Sequence, residues 1–266
     1  MAIGAPADPA AVSISLGANG WSWIGYPLQY ATPIADAFAD ADPQDGDIVM
    51  SQSLFAMYNG SGWRGSLMAM NPGEGYKYYS ASNTKKTFHY QKPAMSRAKA
   101  YRSEAGSAAE DILTLTYADN MAIVAQVVDG GSLVADASVM VYGNDELRGY
   151  SAKSDYEGLH YITVGGDTDG LRLSFVVTVG DDQYVFYDKT KFVADGVIGN
   201  LSNPWLIELS EATTVNGVVC DERVKDVETY DLTGVRVSNN ISKPGVYVQK
   251  LTFDDGSTIS VKIIKK

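Results

Sequence analysis

Apolar and polar residues alternate over short stretches along most of the chain, with turn residues such as Asn-Gly and Asp-Gly between them. This period of two is typical of half-buried β-strands. Residues 33–41 differ: proline occupies the first turn, and Ile34, Ala37 and Phe38 fall on one face of a helix. The connections are too short for crossover helices, so neighbouring strands should run antiparallel. The pattern therefore predicts an all-β chain with one short helix.

The strand stretches fall into three groups, which predict three antiparallel β modules. Residues 1–92 form the first, a β-rich module with many tryptophans and tyrosines and the short helix. Residues 93–111 are small and polar without alternation, which is typical of a linker. Six regularly spaced strands predict a β-sandwich over residues 112–208. Residues 209–266 are predicted to form a small β-sandwich that separates from the preceding module at residues 210–216.

Composition excludes several classes of protein. Hydrophobic residues make up 45% of the chain, too many for a disordered protein. The net charge is −11, and the acidic excess lies in residues 1–208. This acidic part of the chain repels nucleic acid and anionic membranes, so neither is an expected partner.

Three features of the sequence bear on export: its apolar runs, its cysteine content and its first residues. No run of 18 apolar residues is present, so no transmembrane segment is predicted. The single cysteine, Cys220, cannot form an intrachain disulfide and is predicted to be a buried strand residue. Residues 1–9 lack the basic start and apolar core of a signal peptide. We therefore expect an exported form of this chain to begin further upstream.

The sequence does not predict an enzyme. Its two histidines, His89 and His160, fall in predicted strands of different modules. No Gly-x-Ser-x-Gly nucleophile elbow accompanies them. We therefore assign no catalytic residue.

Four carboxylates lie close together after the predicted helix. They are Asp40, Asp42, Asp45 and Asp47. Carboxylate oxygens are the ligands that Ca²⁺ prefers, so a loose calcium site is one interpretation. The spacing does not fit an EF-hand loop, and the other interpretation is a solvated turn between helix and strand. The sequence suggests no cofactor other than calcium.

Aromatic residues of the first module are candidates for a ligand-binding surface. They are Trp21, Trp23, Trp63, Tyr76 and Tyr78. Alternation places Trp21 and Trp23 on one face of their strand, and Tyr76 and Tyr78 on one face of theirs. A flat platform of these rings would stack on sugars. The alternative is that the rings fill the core of a small module. Trp63, beside a glycine-rich turn, is predicted to be the most exposed ring.

The end of the chain carries three short motifs. Residues 230–234 are Tyr-Asp-Leu-Thr-Gly, residues 244–247 are Pro-Gly-Val-Tyr, and residues 262–266 are lysine-rich. Together they resemble the C-terminal, type A-like sorting domain of proteins exported by the type IX secretion system of Gram-negative bacteria. Matching positions are Tyr230, Asp231, Leu232, Gly234, Pro244, Gly245, Tyr247, Lys265 and Lys266.

This resemblance implies specific partners and a location. The tail would be recognised by the type IX translocon and then removed. The remaining protein would be attached to the cell surface by the outer-membrane anchoring machinery. The expected location is extracellular or at the cell surface.

The two earlier modules resemble recurrent modules of secreted multidomain bacterial proteins. For the first, the matching segments are residues 21–27, 45–48, 63–67 and 72–78. For the second, residues 120–125, 146–149 and 158–164 resemble an immunoglobulin-like sandwich. These resemblances imply extracellular modules without catalytic activity.

The main functional hypothesis is a non-enzymatic secreted or cell-surface protein with a binding or spacer role. Its partner would be an extracellular glycan, a host surface or another protein. One alternative is the non-catalytic tail of a larger secreted hydrolase. The other is a calcium-stabilised adhesin.

Overall fold

The computed structural model describes residues 8–91, 117–144, 146–155, 157–215, 218–219, 223–239, 241 and 243–265. The whole of the predicted linker, residues 93–111, lies outside the described residues, as do Cys220 and Lys266. The chain divides into two compact units. Unit 1 comprises Met1–Ala125, Leu159–Asp167 and Ala194–Trp205, and unit 2 comprises Gln126–Gly158, Thr168–Val193 and Leu206–Lys266.

The architecture is all-β and sandwich-like, as predicted. In the first half of the chain the strands are β1 Ser13–Leu16, β2 Gly20–Gly25, β3 Thr32–Pro33, β4 Ile48–Met50, β5 Phe55–Tyr58, β6 Trp63–Gly65, β7 Ala69–Met70, β8 Gly75–Ser80, β9 Lys86–His89, β10 Asp119–Asp129 and β11 Ser132–Leu133. The next seven are β12 Ala137–Gly143, β13 Glu146–Ser151, β14 His160–Gly166, β15 Arg172–Val179, β16 Asp182–Lys191, β17 Val197–Ile198 and β18 Trp205–Glu208. The last six are β19 Thr214–Val215, β20 Val218–Val219, β21 Val224–Asp231, β22 Arg236–Val237, β23 Gly245–Phe253 and β24 Thr258–Lys265.

The single α-helix of the described residues, α1, is shorter than predicted and spans Ile34–Ala37. Its apolar face is as expected, because Ile34, Ala37 and Phe38 are all buried. Beyond Ala37 the hydrogen bonds join residues three apart, from Ala39 N to the Asp36 oxygen and from Ala41 N to the Phe38 oxygen. The chain therefore continues as tight turns and leaves the α-helix early. Two short 3₁₀ turns occur at Pro9–Ala11 and Leu209–Glu211.

Unit 1 is built around a five-stranded antiparallel sheet with the order β2-β8-β4-β5-β6, so β2 is an edge strand. Two small antiparallel pairs, β1 with β9 and β3 with β7, accompany it. Strand β14 pairs antiparallel with β10. Strand β17 pairs with β10 in parallel, which corrects the prediction that every pairing is antiparallel.

The two faces of the five-stranded sheet belong to different hydrophobic clusters. In β4, Val49 points to a cluster that contains Phe38 of the helical segment and Phe88 of β9. Its neighbours Ile48 and Met50 point to a second cluster, with residues of β10 and β14. The alternation of side chains along a strand accounts for this division. The central strands are therefore buried on both faces.

Unit 2 contains two antiparallel sheets. One has the order β13-β12-β15-β16-β19-β20, and the other has the order β22-β21-β23-β24. Val185 and Tyr187 of β16 share one hydrophobic cluster with Leu251 and Phe253 of β23. The C-terminal strands therefore pack on the strands before them, and the separability of residues 209–266 stays a prediction. The module boundaries at residues 92, 112 and 208 stay a prediction.

The membrane prediction can be compared with the helices of the structure. Among the described residues, no helix has both the length and the hydropathy needed to cross a membrane.

Gly199 provides a test of how segment 194–199 packs on β10. Its φ is +71°, and an added Cβ would overlap the Val124 carbonyl oxygen and lie 2.7 Å from the Trp205 nitrogen. We expect Gly199→Ala to lower the free energy of unfolding by about 2 kcal/mol or more, since strain and a backbone clash add. The control is Gly25→Ala in β2, where an added Cβ meets nothing within 4 Å. Equal chemical-denaturation midpoints for the two variants would contradict this packing.

Candidate functional site

Among the described residues of unit 1, the most exposed large aromatic side chain is that of Trp23, on the edge strand β2. Trp21 and Trp23 share one face of β2, as predicted, and lie opposite Tyr79 and Lys77 of β8. Trp21 is partly buried and packs edge-on against Tyr79, with ring centroids 5.4 Å apart. The Trp23 side chain is 79% exposed. The edge of the sheet thus ends in an indole ring that stands in solvent.

Lys77 lies beneath the two indole rings. Its side chain is only 6% exposed. The ammonium nitrogen is 5.8 Å from the centroid of the Trp21 ring and 5.4 Å from that of Trp23. It also forms an ion pair with Asp195. A buried ammonium group requires such partners, because its lost hydration must be replaced. Cation–π contact and the ion pair supply that replacement.

Asp195 is carried to this place by the segment that follows β16. Its backbone nitrogen donates to the Asn120 carbonyl at 2.9 Å, and the next carbonyl, of Gly196, accepts from Ala122 at 2.9 Å. Asp195 has a φ of 60°, a left-handed conformation that aspartate tolerates better than most residues. Its side chain is 39% exposed. Asp195 therefore neutralises Lys77 while its side chain remains partly exposed.

The five aromatic residues do not form one platform, which corrects the prediction. Tyr76 and Tyr78 are buried on the opposite face of β8, among the cluster around Phe38. The Tyr76 hydroxyl donates to Glu74 at 2.7 Å, and the Tyr78 hydroxyl donates to Asp47 at 2.6 Å. Burial is the main cause that raises the pKa of both phenols. These two rings are core residues, as the alternative interpretation held.

Trp63 was predicted to be the most exposed ring, and this is wrong. It is partly buried, with its ring centroid 5.6 Å from that of Phe38 and 5.4 Å from that of Tyr58. It packs against the first hydrophobic cluster from strand β6. Its position beside a glycine-rich turn did not indicate this, because the contacts with Phe38 and Tyr58 come from other segments of the chain.

The four aspartates do not converge on a common point, contrary to the calcium-site hypothesis. Asp47 is buried and accepts from Tyr78, from Ala81 N at 2.7 Å and from Gln44 N at 3.0 Å. Asp40 accepts from the His89 backbone at 3.0 Å. Asp42 and Asp45 are exposed. Within the described ranges, no three acidic, histidine or cysteine side chains form a group that could hold a metal ion.

The motif at residues 230–234 forms an ordered turn between β21 and β22. Asp231 Oδ1 accepts from the Thr233 nitrogen at 2.9 Å and from the Val235 nitrogen at 3.0 Å. The Thr233 hydroxyl donates to the same atom at 2.6 Å, and these bonds lower the pKa of Asp231. Gly234 has a φ of +81°, the conformation that favours glycine. The turn presents Leu232 to solvent at 70% exposure and Val235 at 58%.

The other positions of the C-terminal motif lie on neighbouring strands. The Tyr230 hydroxyl donates to Glu228 at 3.1 Å. The Tyr247 hydroxyl donates to the Lys243 carbonyl at 3.1 Å, just before Pro244, which is exposed. Gly245 begins β23 and pairs with Lys265, the last residue of β24. The structure thus brings the motifs at residues 230–234 and 244–247 into one sheet.

Comparisons with known proteins add little to this description. No family model matches the sequence, and no curated protein matches it. Three chains of solved structures match. One of them, described as "The Bacillus anthracis TIE protein", is 12% identical with a TM-score of 0.23. The match covers 84% of this chain and 46% of that one, so this chain spans less than half the length of that protein. A similarity this low supports no conclusion about fold or function.

Replacing Asp47 should distinguish a structural carboxylate from a calcium ligand. Asp47→Ala removes the acceptor of three hydrogen bonds in a buried place, and we expect a loss of about 3 kcal/mol in unfolding free energy. Asp45→Ala, at an exposed position, should change it by less than about 0.5 kcal/mol. Millimolar calcium should leave the melting temperature of the wild type unchanged. A calcium-dependent rise that Asp45→Ala abolishes would restore the calcium hypothesis.

Tyr90 allows a test at alkaline pH. Burial raises the pKa of its phenol above the ordinary value of 10.0. Its contribution to stability is therefore present below pH 10.0 and is lost as the pH rises from there, since the unfolded chain ionises first. The loss is about 1.4 kcal/mol per pH unit.

Tyr90→Phe should reduce that alkaline loss. In the described part of the chain the Tyr90 hydroxyl has no hydrogen-bond partner. Its removal should therefore leave the stability at pH 7 unchanged or raise it by about 1 kcal/mol. Urea denaturation at pH 7 and at several values above pH 10 measures both effects. Equal pH dependence in wild type and variant would show that Tyr90 ionises as readily in the fold as in the unfolded chain.

Proposed function

We propose that this chain is an exported, non-enzymatic protein of the cell surface, with residues 209–266 as its type IX sorting signal. The observation that carries the proposal is the turn at residues 231–235. It combines the sequence motif of the sorting family with an ordered backbone and two exposed apolar side chains. The remainder of the chain has a binding or spacer role outside the cell.

The exposed apolar turn favours recognition by a partner. Leu232 and Val235 are exposed although the turn around Asp231 is tied by three hydrogen bonds. Ordering before binding lowers the entropy cost of association. Exposed apolar residues on an ordered turn are a common feature of interaction sites. A translocon that reads this turn would contact side chains that folding does not use.

Two further observations agree with a non-enzymatic role. His160 is buried within β14, where substrate has no access to it. His89 is exposed on β9, with its Nδ1 3.6 Å from Asp40 Oδ2. This His–Asp pair lies on the surface and is part of the contact between β9 and the segment after α1.

The sorting signal is best tested by a point substitution. Deleting residues 243–266 would remove Leu251 and Phe253 and uncover Val185 and Tyr187, so a failure of export could reflect misfolding. Leu232→Ser avoids this, because an exposed side chain contributes less than about 0.5 kcal/mol to stability. The matched control is Leu206→Ser, at a position that is 53% exposed in the same unit.

The two variants should be expressed behind a signal peptide in a bacterium with a type IX system. We expect Leu232→Ser to accumulate in the periplasm, with surface protein reduced by about tenfold, while Leu206→Ser is exported as the wild type is. Surface proteolysis and cell fractionation measure the distribution. Normal export of Leu232→Ser would show that the turn is not the recognised element. Retention of the wild type in the periplasm would refute sorting of this chain altogether.

A further inference from the structure

The exposed ring of Trp23 lies beside groups that could recognise a polar, uncharged ligand. On the same face, the partly exposed carboxylate of Asp195 lies next to the ammonium group of Lys77, which itself contacts the Trp23 ring. An indole ring offers an apolar surface, and a carboxylate accepts hydrogen bonds from hydroxyl groups. A ligand that matches both groups needs an apolar face for the indole and hydroxyl groups for the carboxylate. Sugars are the chief class of ligand with both.

We propose that Trp23 and Asp195 form a binding site for a neutral glycan. The apolar C–H face of a pyranose ring would stack on the exposed indole of Trp23. A sugar hydroxyl would donate to the exposed part of the Asp195 carboxylate. Lys77 would act as a positioning residue, which holds both groups in place without itself reaching solvent.

The charges favour a neutral ligand over an acidic one. The carboxylate and ammonium groups of Asp195 and Lys77 neutralise each other, so the site has no net charge of its own. The chain as a whole carries a net charge of −11, which repels anionic polysaccharides. The same charge opposes binding to an anionic membrane surface. A neutral sugar avoids these costs.

The size of the apolar surface favours a sugar over a protein partner. The centre of a protein interface is depleted of charged residues. At this edge the neighbours of Trp23 across the sheet are the charged Lys77 and, through it, Asp195, while Trp21 is partly buried against Tyr79. A single ring bordered by charge matches the dimensions of one or two sugar units.

The site is ordered before any ligand arrives. Trp23 is held by the pairing of β2 with β8, and Asp195 is held by the hydrogen bond from its nitrogen to Asn120. Asp195 also keeps a left-handed φ of 60°, a conformation that is often retained at functional positions. An ordered site loses little conformational entropy on binding.

The inference rests on the proposed binding role but is independent of the export route. Purified full-length chain can therefore be tested apart from any type IX system. The probes are soluble β-glucan, mannan and galactan in native affinity gels. Heparin is the anionic glycan for comparison, and phosphatidylcholine vesicles are the probe without a glycan. Tryptophan fluorescence, titrated with the oligosaccharides of any polysaccharide that slows migration, gives the dissociation constant.

We expect at least one neutral polysaccharide to retard the wild type. Trp23→Ala should raise the dissociation constant at least tenfold, and Trp23→Phe should recover part of the loss. The control is Met68→Ala, which removes another exposed apolar side chain of unit 1, 58% exposed, and should bind as the wild type does. Circular dichroism and melting curves verify that all variants remain folded.

Three results would overturn the proposal. The first is that no neutral polysaccharide retards the wild type, even if the protein binds the vesicles or heparin. The second is that Trp23→Ala binds the neutral polysaccharide as tightly as the wild type. The third is that Met68→Ala loses binding to the same extent as Trp23→Ala, since the effect would then not be specific to this edge. Retention of the wild type in the periplasm, with its binding to the neutral polysaccharide intact, would instead count against the sorting signal alone.

Discussion

The burial of Lys77 is the constraint on which much of unit 1 depends. Strand β8 lies inside the sheet between β2 and β4, and the side chain of Lys77 is only 6% exposed there. Tyr76 and Tyr78 suit such a place, but a lysine does not. Its ammonium group is stable there only with a carboxylate and with aromatic faces around it. The two indoles of β2 and Asp195 meet this requirement.

This requirement explains a distant part of the sequence. Asp195 comes more than a hundred residues after Lys77 in the chain. It reaches the Lys77 ammonium group because segment 194–198 lies along β10, with β17 in parallel register. Gly199 then lets the chain approach β10 closely, where any side chain would meet the Val124 carbonyl. Asp47 plays a matching part on the other face, as a buried carboxylate beneath the Tyr78 hydroxyl. Lys77 and Tyr78, which are neighbours on β8, are thus each met by a carboxylate from a separate segment.

The sequence predicted what depends on local alternation and missed what depends on strand order. The β-strands, the short helix with its buried face, and the shared faces of Trp21 with Trp23 and of Tyr76 with Tyr78 follow from periodicity. The exposure of Trp23 instead depends on β2 being an edge strand, which no local pattern encodes. The role of Asp195 could not be foreseen, because a lone aspartate in a turn carries no signal of a lysine far away in the chain. The early end of the helix and the core shared by β16 and β23 are likewise consequences of tertiary packing.

Trp23 and Leu232 are both exposed apolar residues, yet their surroundings point to different kinds of partner. Trp23 stands on a rigid strand with a charged pair beside it, which suits a ligand that has both apolar and hydroxyl surfaces. Leu232 stands on a turn whose polar groups are already bonded within the turn itself, and its exposed neighbour Val235 is apolar as well. The donors of Thr233 and Val235 are used within the turn, so we propose that its partner contacts chiefly the two apolar side chains, as at the centre of a protein interface. Trp23 lies beside a charged pair, whereas Leu232 lies on a turn whose donors are already bonded. This difference is the basis for proposing a glycan as the partner of Trp23 and a protein as the partner of Leu232.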